Sequence, residues 1–271
     1  MHFWDPRSHY YPWLCDAEPI NFRYGDYRAL RRPYLPPDYR RDAGRWDVQR
    51  TVYIEAEWDP RDPLGEMAFI AALRGAHGLP TVAVAQAWLD SADCPAVLES
   101  QAAHGFVRGV RHKPRSGQMD DARWRAGYAR LSPLGLHFEL QAPWQELATA
   151  VRLARDFAGT TIVLNHAGLP LPGELDGWQA AIAALAPCAN VAVKISGLGN
   201  LEAPAQHQVI GTVLELFGTR RVMFASNYPV DSLRASYDAI YGLFDEATRG
   251  LSAAERRDLF HDNAVRLYRM E

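Results

Sequence analysis

The side chains able to do chemistry in this chain stand where short apolar runs end. Thr161-Ile162-Val163-Leu164 stops abruptly on Asn165-His166, ahead of a Gly/Pro-rich turn. Other runs finish in the same way. Glu55 and Glu57 close Thr51–Glu57, Gln86 closes Thr81–Gln86, and Arg111-His112 follows Phe106. Glu139 and Gln141 end the run from Leu136, Lys194 and Ser196 the run from Val191, and Asn227 the run from Arg221. Each residue alone has a bland reading: a lone His is more often a hydrogen-bonded packing residue than a ligand, and a terminal charge is usually solvated. Seven polar ends converging on one rim would be costly to bury without partners or a ligand, which favours a working site. There is no G-x-S-x-G, and no cysteine stands at the end of a run, so covalent Ser or Cys hydrolysis is disfavoured. Histidine, carboxylate and arginine chemistry remains.

The elements that carry these ends have a rhythm. The runs are too short for buried helices, and each is followed by an apolar-periodic segment: 64–77, 96–103, 122–131, 144–157, 178–185, 207–217, then 233–244 and 253–268. A strand every 25–30 residues or so, each followed by a helix, is the spacing of βα units on a parallel sheet. An open doubly wound sheet would want a Gly-rich phosphate loop after an early strand, and no G-x-G-x-x-G or G-x-x-x-x-G-K-[ST] is present. In a (β/α)₈ TIM barrel the active site lies at the C-terminal strand ends, where these polar residues fall. Seven strands are visible, so the barrel reading places the missing one at the N-terminus. The whole chain, 1–271, is read as a single α/β domain.

Composition bounds the rest. The 271 residues are 48% hydrophobic and 23% charged, with a net charge of −3. No basic footprint for nucleic acid exists, and no apolar run approaches a membrane span. Cys15, Cys94 and Cys188 lie far apart, and together with the absence of a leader they make the cytoplasm the default compartment. The expected partner is a small-molecule substrate; a homo-oligomer is compatible with the sequence but not legible in it. Residues 8–47 are rich in Tyr, Trp, Pro and Arg without a period. A loop this aromatic packs over something, either as a surface connection or as a lid on the site.

Taken together, His2-Phe3-Trp4-Asp5-Pro6, Gly109-Val110-Arg111-His112, Asn165-His166-Ala167-Gly168, Val193-Lys194-Ile195-Ser196-Gly197 and Met223-Phe224-Ala225-Ser226-Asn227-Tyr228-Pro229 resemble the amidohydrolase superfamily. The closest branch is the amidohydrolase-2 group of sugar-lactone and pyrone-dicarboxylate lactonases, and the likeness spans essentially the whole chain. It implies a (β/α)₈ barrel with a His-x-His pair on the first strand, a later His, and usually an Asp on the last strand. His2 matches the second His of the pair and His166 the later one. The first His and its strand would lie ahead of Met1, and Asn227 stands where the Asp is usual. Asn cannot take a proton from water, so the usual base is missing from its place.

The implied reaction is water attack on a lactone carbonyl, giving a hydrolase. By resemblance, His2 and His166 polarise the carbonyl or hold a metal, and Arg111 grips a substrate carboxylate. The expectation is no cofactor; a single Zn or Mn on His2 and His166 is the alternative. For the base, Glu55 is nominated and Asp231 placed second, with a helix cap as the preferred role for Asp231. Glu139, Trp58 and Gln86 are assigned with Arg111 to substrate binding, Glu139 and Lys194 alternatively to a structural ion pair, and His112 to the rim. Two rivals are a non-oxidative decarboxylase of a small unsaturated acid and an inactive barrel that binds a carboxylated ligand.

Overall fold

In a computed structural model, which describes residues 1–270, every predicted strand is present. The strands are β1 Val52–Ile54, β2 Val82–Gln86, β3 Val107–Arg111, β4 His137–Leu140, β5 Ile162–Leu164, β6 Val191–Ile195 and β7 Val222–Phe224. They form one parallel sheet in sequence order, each paired with the next. Their side chains are almost wholly buried on both faces, which is why they read as continuous apolar runs. Helices follow the strands: Gly65–His77, Cys94–Ala103, Ala122–Tyr128, Leu147–Asp156, Leu175–Leu185, Ala203–Phe217 and Tyr237–Ala247. Among the described residues no helix is long and apolar enough to cross a membrane.

The sheet holds the seven strands that the sequence shows, and a closed ring of eight is not formed among the described residues. Beside β1, residues 1–3 occupy the position an eighth strand would take. The Met1 amine donates to the Val52 carbonyl at 3.1 Å, and the Ile54 N–H donates to the Met1 carbonyl at 3.0 Å. On the far side the His2 N–H reaches the carbonyl of Tyr228, just past β7, at 2.8 Å. These bonds seat His2 between the two edges of the sheet. Below Met1 the edges leave a groove of about 480 Å³, walled by Val52, Ile54, Met223 and Tyr268.

Residues 8–47 are less irregular than expected. They contain the helices Pro12–Cys15 and Pro36–Ala43. The second begins on prolines whose fixed φ suits a first turn, and Asp38 accepts from the N–H of Leu35. Eight residues are too few for an apolar period to show. The aromatic residues stack on one another: Trp13 lies parallel to Phe22 and edge-on to Trp4, at 5.8 and 5.2 Å between centroids.

One glycine shows how tightly the outer layer is set. A Cβ at Gly127, on Ala122–Tyr128, would overlap the backbone carbonyl of Leu89. That carbonyl belongs to the loop following β2 and cannot rotate away. Gly127→Ala is therefore expected to destabilise the fold by about 1–3 kcal/mol, read as a fall in melting temperature of several degrees.

Candidate active site

Three strand ends break the ordinary backbone rules. Glu57 (φ 59°), His166 (φ 53°, ψ 35°) and Asn227 (φ 49°) are all left-handed, as are Ala167 and Leu169 beside His166. Non-glycine residues in this region carry strain that the surrounding structure must hold. The result turns His166 and Asn227 inward. With His2 they wall a small inner cavity of about 70 Å³, shared with Arg23, Arg111 and Glu57. Glu57 and Arg111 also border an outer chamber of about 760 Å³, which takes in Glu55, Trp58 and Gln86.

The donor and acceptor pattern at His2 is decisive. Its Nδ1 lies 2.8 Å from the Ile54 carbonyl, which can only accept, so Nδ1 carries the proton. Burial first, then the nearby Met1 amine and Arg111, holds His2 well below its ordinary pKa, so the ring is neutral and Nε2 is a bare lone pair. That Nε2 lies 3.3 Å from Asn227 Oδ1. The Asn227 amide cannot turn, because its Nδ2 donates to Asp231 Oδ1 at 2.7 Å. Two acceptors thus face each other with no proton between them.

Asp231 sets that orientation. It is buried, and accepts from Tyr24 Oη at 2.9 Å and the Gly197 N–H at 3.0 Å as well as from Asn227. It caps no helix, correcting that expectation. Burial raises its carboxyl to about 6, leaving it ionised at neutral pH. His166 is also neutral: burial, then Arg23 and Lys194, pushes its pKa well down. Its Nδ1 is 2.8 Å from Ser196 Oγ, which leaves Nε2 for a ligand.

The remaining expected residues separate. Glu55, nominated as base, has both oxygens occupied: Arg111 Nε donates to Oε1 at 2.5 Å, and the Glu57 N–H to Oε2 at 2.7 Å. Arg111 is equally engaged, with Nη2 on the Glu55 carbonyl and Nη1 on Gln141 Oε1 at 2.9 Å. The bidentate face expected to grip a substrate is spent on Glu55. Glu139 lines neither cavity. It is fully buried beneath them, where Lys194 Nζ at 2.8 Å, Tyr268 Oη at 2.5 Å and Asn165 Nδ2 donate to it; its substrate role is replaced by the structural pairing. His112 lines the outer chamber but is buried, and accepts from the Leu89 N–H and Trp124 Nε1. The sequence reading missed Arg23, Tyr24 and the Glu57–Lys113 ion pair. The aromatic richness of residues 8–47 was the only signal pointing to the first two.

The profile of the amidohydrolase family (Amidohydro_2) matches residues 1–270. The chain belongs to the amidohydrolase family. This amidohydrolase is 36% identical over 289 residues to an uncharacterised protein of Sinorhizobium fredii, covering 100% of this chain and 97% of that one. It is 29% identical to an L-fucono-1,5-lactonase of Burkholderia multivorans, over 99% of this chain and 94% of the lactonase. A crystal structure of an amidohydrolase from B. multivorans with bound zinc superimposes with a TM-score of 0.83 at 26% identity, covering 100% and 97% of the two chains.

The donors here do not suit a tightly held zinc ion. His2 Nε2, His166 Nε2 and Asn227 Oδ1 are three neutral atoms, and the carboxylate behind them is fully engaged. Among the described residues no three His, Cys, Asp or Glu side chains gather as a metal cluster. Arg23 borders the same small cavity, a positive charge that opposes a further cation.

The buried Glu139 yields a direct test. Glu139→Leu would strand Lys194 without its counter-charge, costing about 3–5 kcal/mol. Chemical denaturation should show that loss, and Glu139→Leu/Lys194→Met should recover much of it.

Proposed function

We propose that this amidohydrolase opens lactones of small sugar-derived or carboxylated acids by direct attack of water. The observation that carries the reading is the pair of facing acceptors, His2 Nε2 and Asn227 Oδ1. A water seated in the cavity beside them donates a proton to His2 Nε2, with Asn227 Oδ1 close enough to share it, and its lone pairs are directed away from both. Such a water is oriented as a nucleophile, and His2 is positioned to take its proton. His166, accepting from Ser196 at Nδ1, presents Nε2–H to the carbonyl oxygen as negative charge develops there. The ester C–O bond then breaks, and the proton held on His2 passes to the ring oxygen as it leaves. The product is an open hydroxy acid. Similarity to an L-fucono-1,5-lactonase supports the same bond type.

Asn227 is in this reading a working residue, not a defect. Asp231, one turn further on, keeps its carbonyl oxygen toward His2. A carboxylate at 227 would face Asp231 directly and would also draw a proton onto His2, removing the lone pair that acts.

Acid release from a panel of sugar lactones, followed at constant pH, tests the activity. His2→Ala and His166→Ala should each lose at least about a hundredfold in kcat; a variant retaining the wild-type rate would overturn the reading. Asn227→Asp should lower kcat at pH 7, whereas it would raise kcat if the chain simply lacked a base.

The pH profile separates Asp231 from the histidines. Above about 6 the carboxylate is ionised and holds the Asn227 amide nitrogen. Below that pH the protonated carboxyl donates instead, releases the amide, and the rate falls. An acid limb near pH 6 is expected in the wild type and should be absent in a slower Asp231→Asn enzyme, as read from initial rates across pH 4–8.

A further inference from the structure

The positive charges around the inner cavity are matched to carboxylates with one exception. Arg111 pairs with Glu55, Lys113 with Glu57, and Lys194 beneath them with Glu139. Arg23 makes no ion pair among the described residues, although its guanidinium borders the cavity with His2 and His166. It is nevertheless held firmly. Nη2 donates to the Gly197 carbonyl at 2.6 Å, the backbone carbonyl of Arg23 accepts from Asn200 Nδ2 at 2.9 Å, and the guanidinium lies over the Tyr24 ring at 4.9 Å. The other terminal nitrogen, Nη1, is buried and has no hydrogen-bond partner.

Gly197 explains how this nitrogen comes so close to the chemistry. A Cβ there would stand 2.9 Å from Arg23 Nη1 and 2.7 Å from His166 Nδ1. The bare glycine, at φ 65°, lets the guanidinium lie against the His166 ring. Asp231, the carboxylate behind this wall, attracts Arg23 through space but offers it no acceptor, since Asn227, Tyr24 and Gly197 already occupy its oxygens. A buried guanidinium nitrogen with no acceptor is expensive unless a ligand completes it.

We propose that Arg23 is the specificity-determining residue of the site and binds a carboxylate that the lactone substrate carries in addition to its scissile ester. The inference rests on the lactone reading above and narrows it to acidic lactones. The inner cavity, at about 70 Å³, suits a carboxylate beside the reacting ester, while the ring and its hydroxyls extend into the 760 Å³ chamber past Trp13. Nη1 then donates to the carboxylate without giving up the Nη2 bond that positions it.

The test compares two lactones on the same ring, D-glucaro-1,4-lactone with its free carboxylate and neutral D-glucono-1,4-lactone, with wild type, Arg23→Gln and Arg23→Lys. The wild type should favour the acidic lactone. Arg23→Gln should raise KM for that lactone about 10- to 100-fold and leave KM for the neutral lactone little changed, while any change in kcat through the neighbouring His166 is shared by both lactones. Arg23→Lys, which keeps the charge, should recover part of the loss. An equal rise in KM on both lactones, no rise on the acidic one, or a wild-type preference for the neutral one would overturn the proposal. Should the wild type open neither, the lactone reading falls and calorimetric binding of D-glucarate decides the role of Arg23. Binding at least tenfold weaker in Arg23→Gln, with an unchanged melting temperature, supports it. No binding, or equal affinity in both proteins, rejects it.

Discussion

The buried carboxylate of Glu139 holds the inside of this sheet together. It stands on β4 and takes hydrogen bonds from Lys194 on β6, Asn165 at the end of β5 and Tyr268 near the C-terminus, with His137 Nε2 3.3 Å away. Burial alone would push its pKa up; Lys194 and His137 together hold it well below the carboxylate range. An ion fully removed from water is tolerable only when its acceptor sites are filled, and here they are. Because Asn165 is one of the donors, the same cluster fixes the turn that sends His166 into the left-handed region. A carboxylate that meets no ligand therefore sets the geometry of a histidine that does.

Above this floor the site is built by exclusion of charge. Neutral histidines, a fixed amide and mutually paired ions leave few groups available to a ligand: His2 Nε2, His166 Nε2, Asn227 Oδ1 and Arg23 Nη1. That economy is chemically sensible. In a cavity this small, each unpaired group acts strongly, and paired groups supply a field without competing for the substrate. The strain at Glu57, His166 and Asn227 is the structural counterpart, since regular strands would direct these side chains elsewhere.

Much of the framework could be read from the chain. Seven apolar runs became seven strands because strands buried on both faces leave a continuous apolar signature. His2, His166 and Asn227 line the inner cavity, and Trp58 and Gln86 the outer one, because a parallel sheet delivers its strand ends to one rim. What stayed hidden was pairing. Glu55 and Arg111 read as a base and a substrate grip, but they are 56 positions apart, and only the fold reveals that each satisfies the other. Likewise Asp231 resembled a helix cap because its contacts with Tyr24 and Gly197 are long-range. Arg23 lay in a stretch with no period, so nothing local marked it.

The seating of His2 has a practical side. The histidine that takes the proton is held from one edge of the sheet by the Ile54 carbonyl and from the other by the Tyr228 carbonyl, so its position follows the spacing between β1 and β7. A change of side-chain size at Val52 or Met223, in the groove beneath, would shift that spacing without touching any residue of the site. Variants made on this flank for stability are therefore also variants of the catalyst.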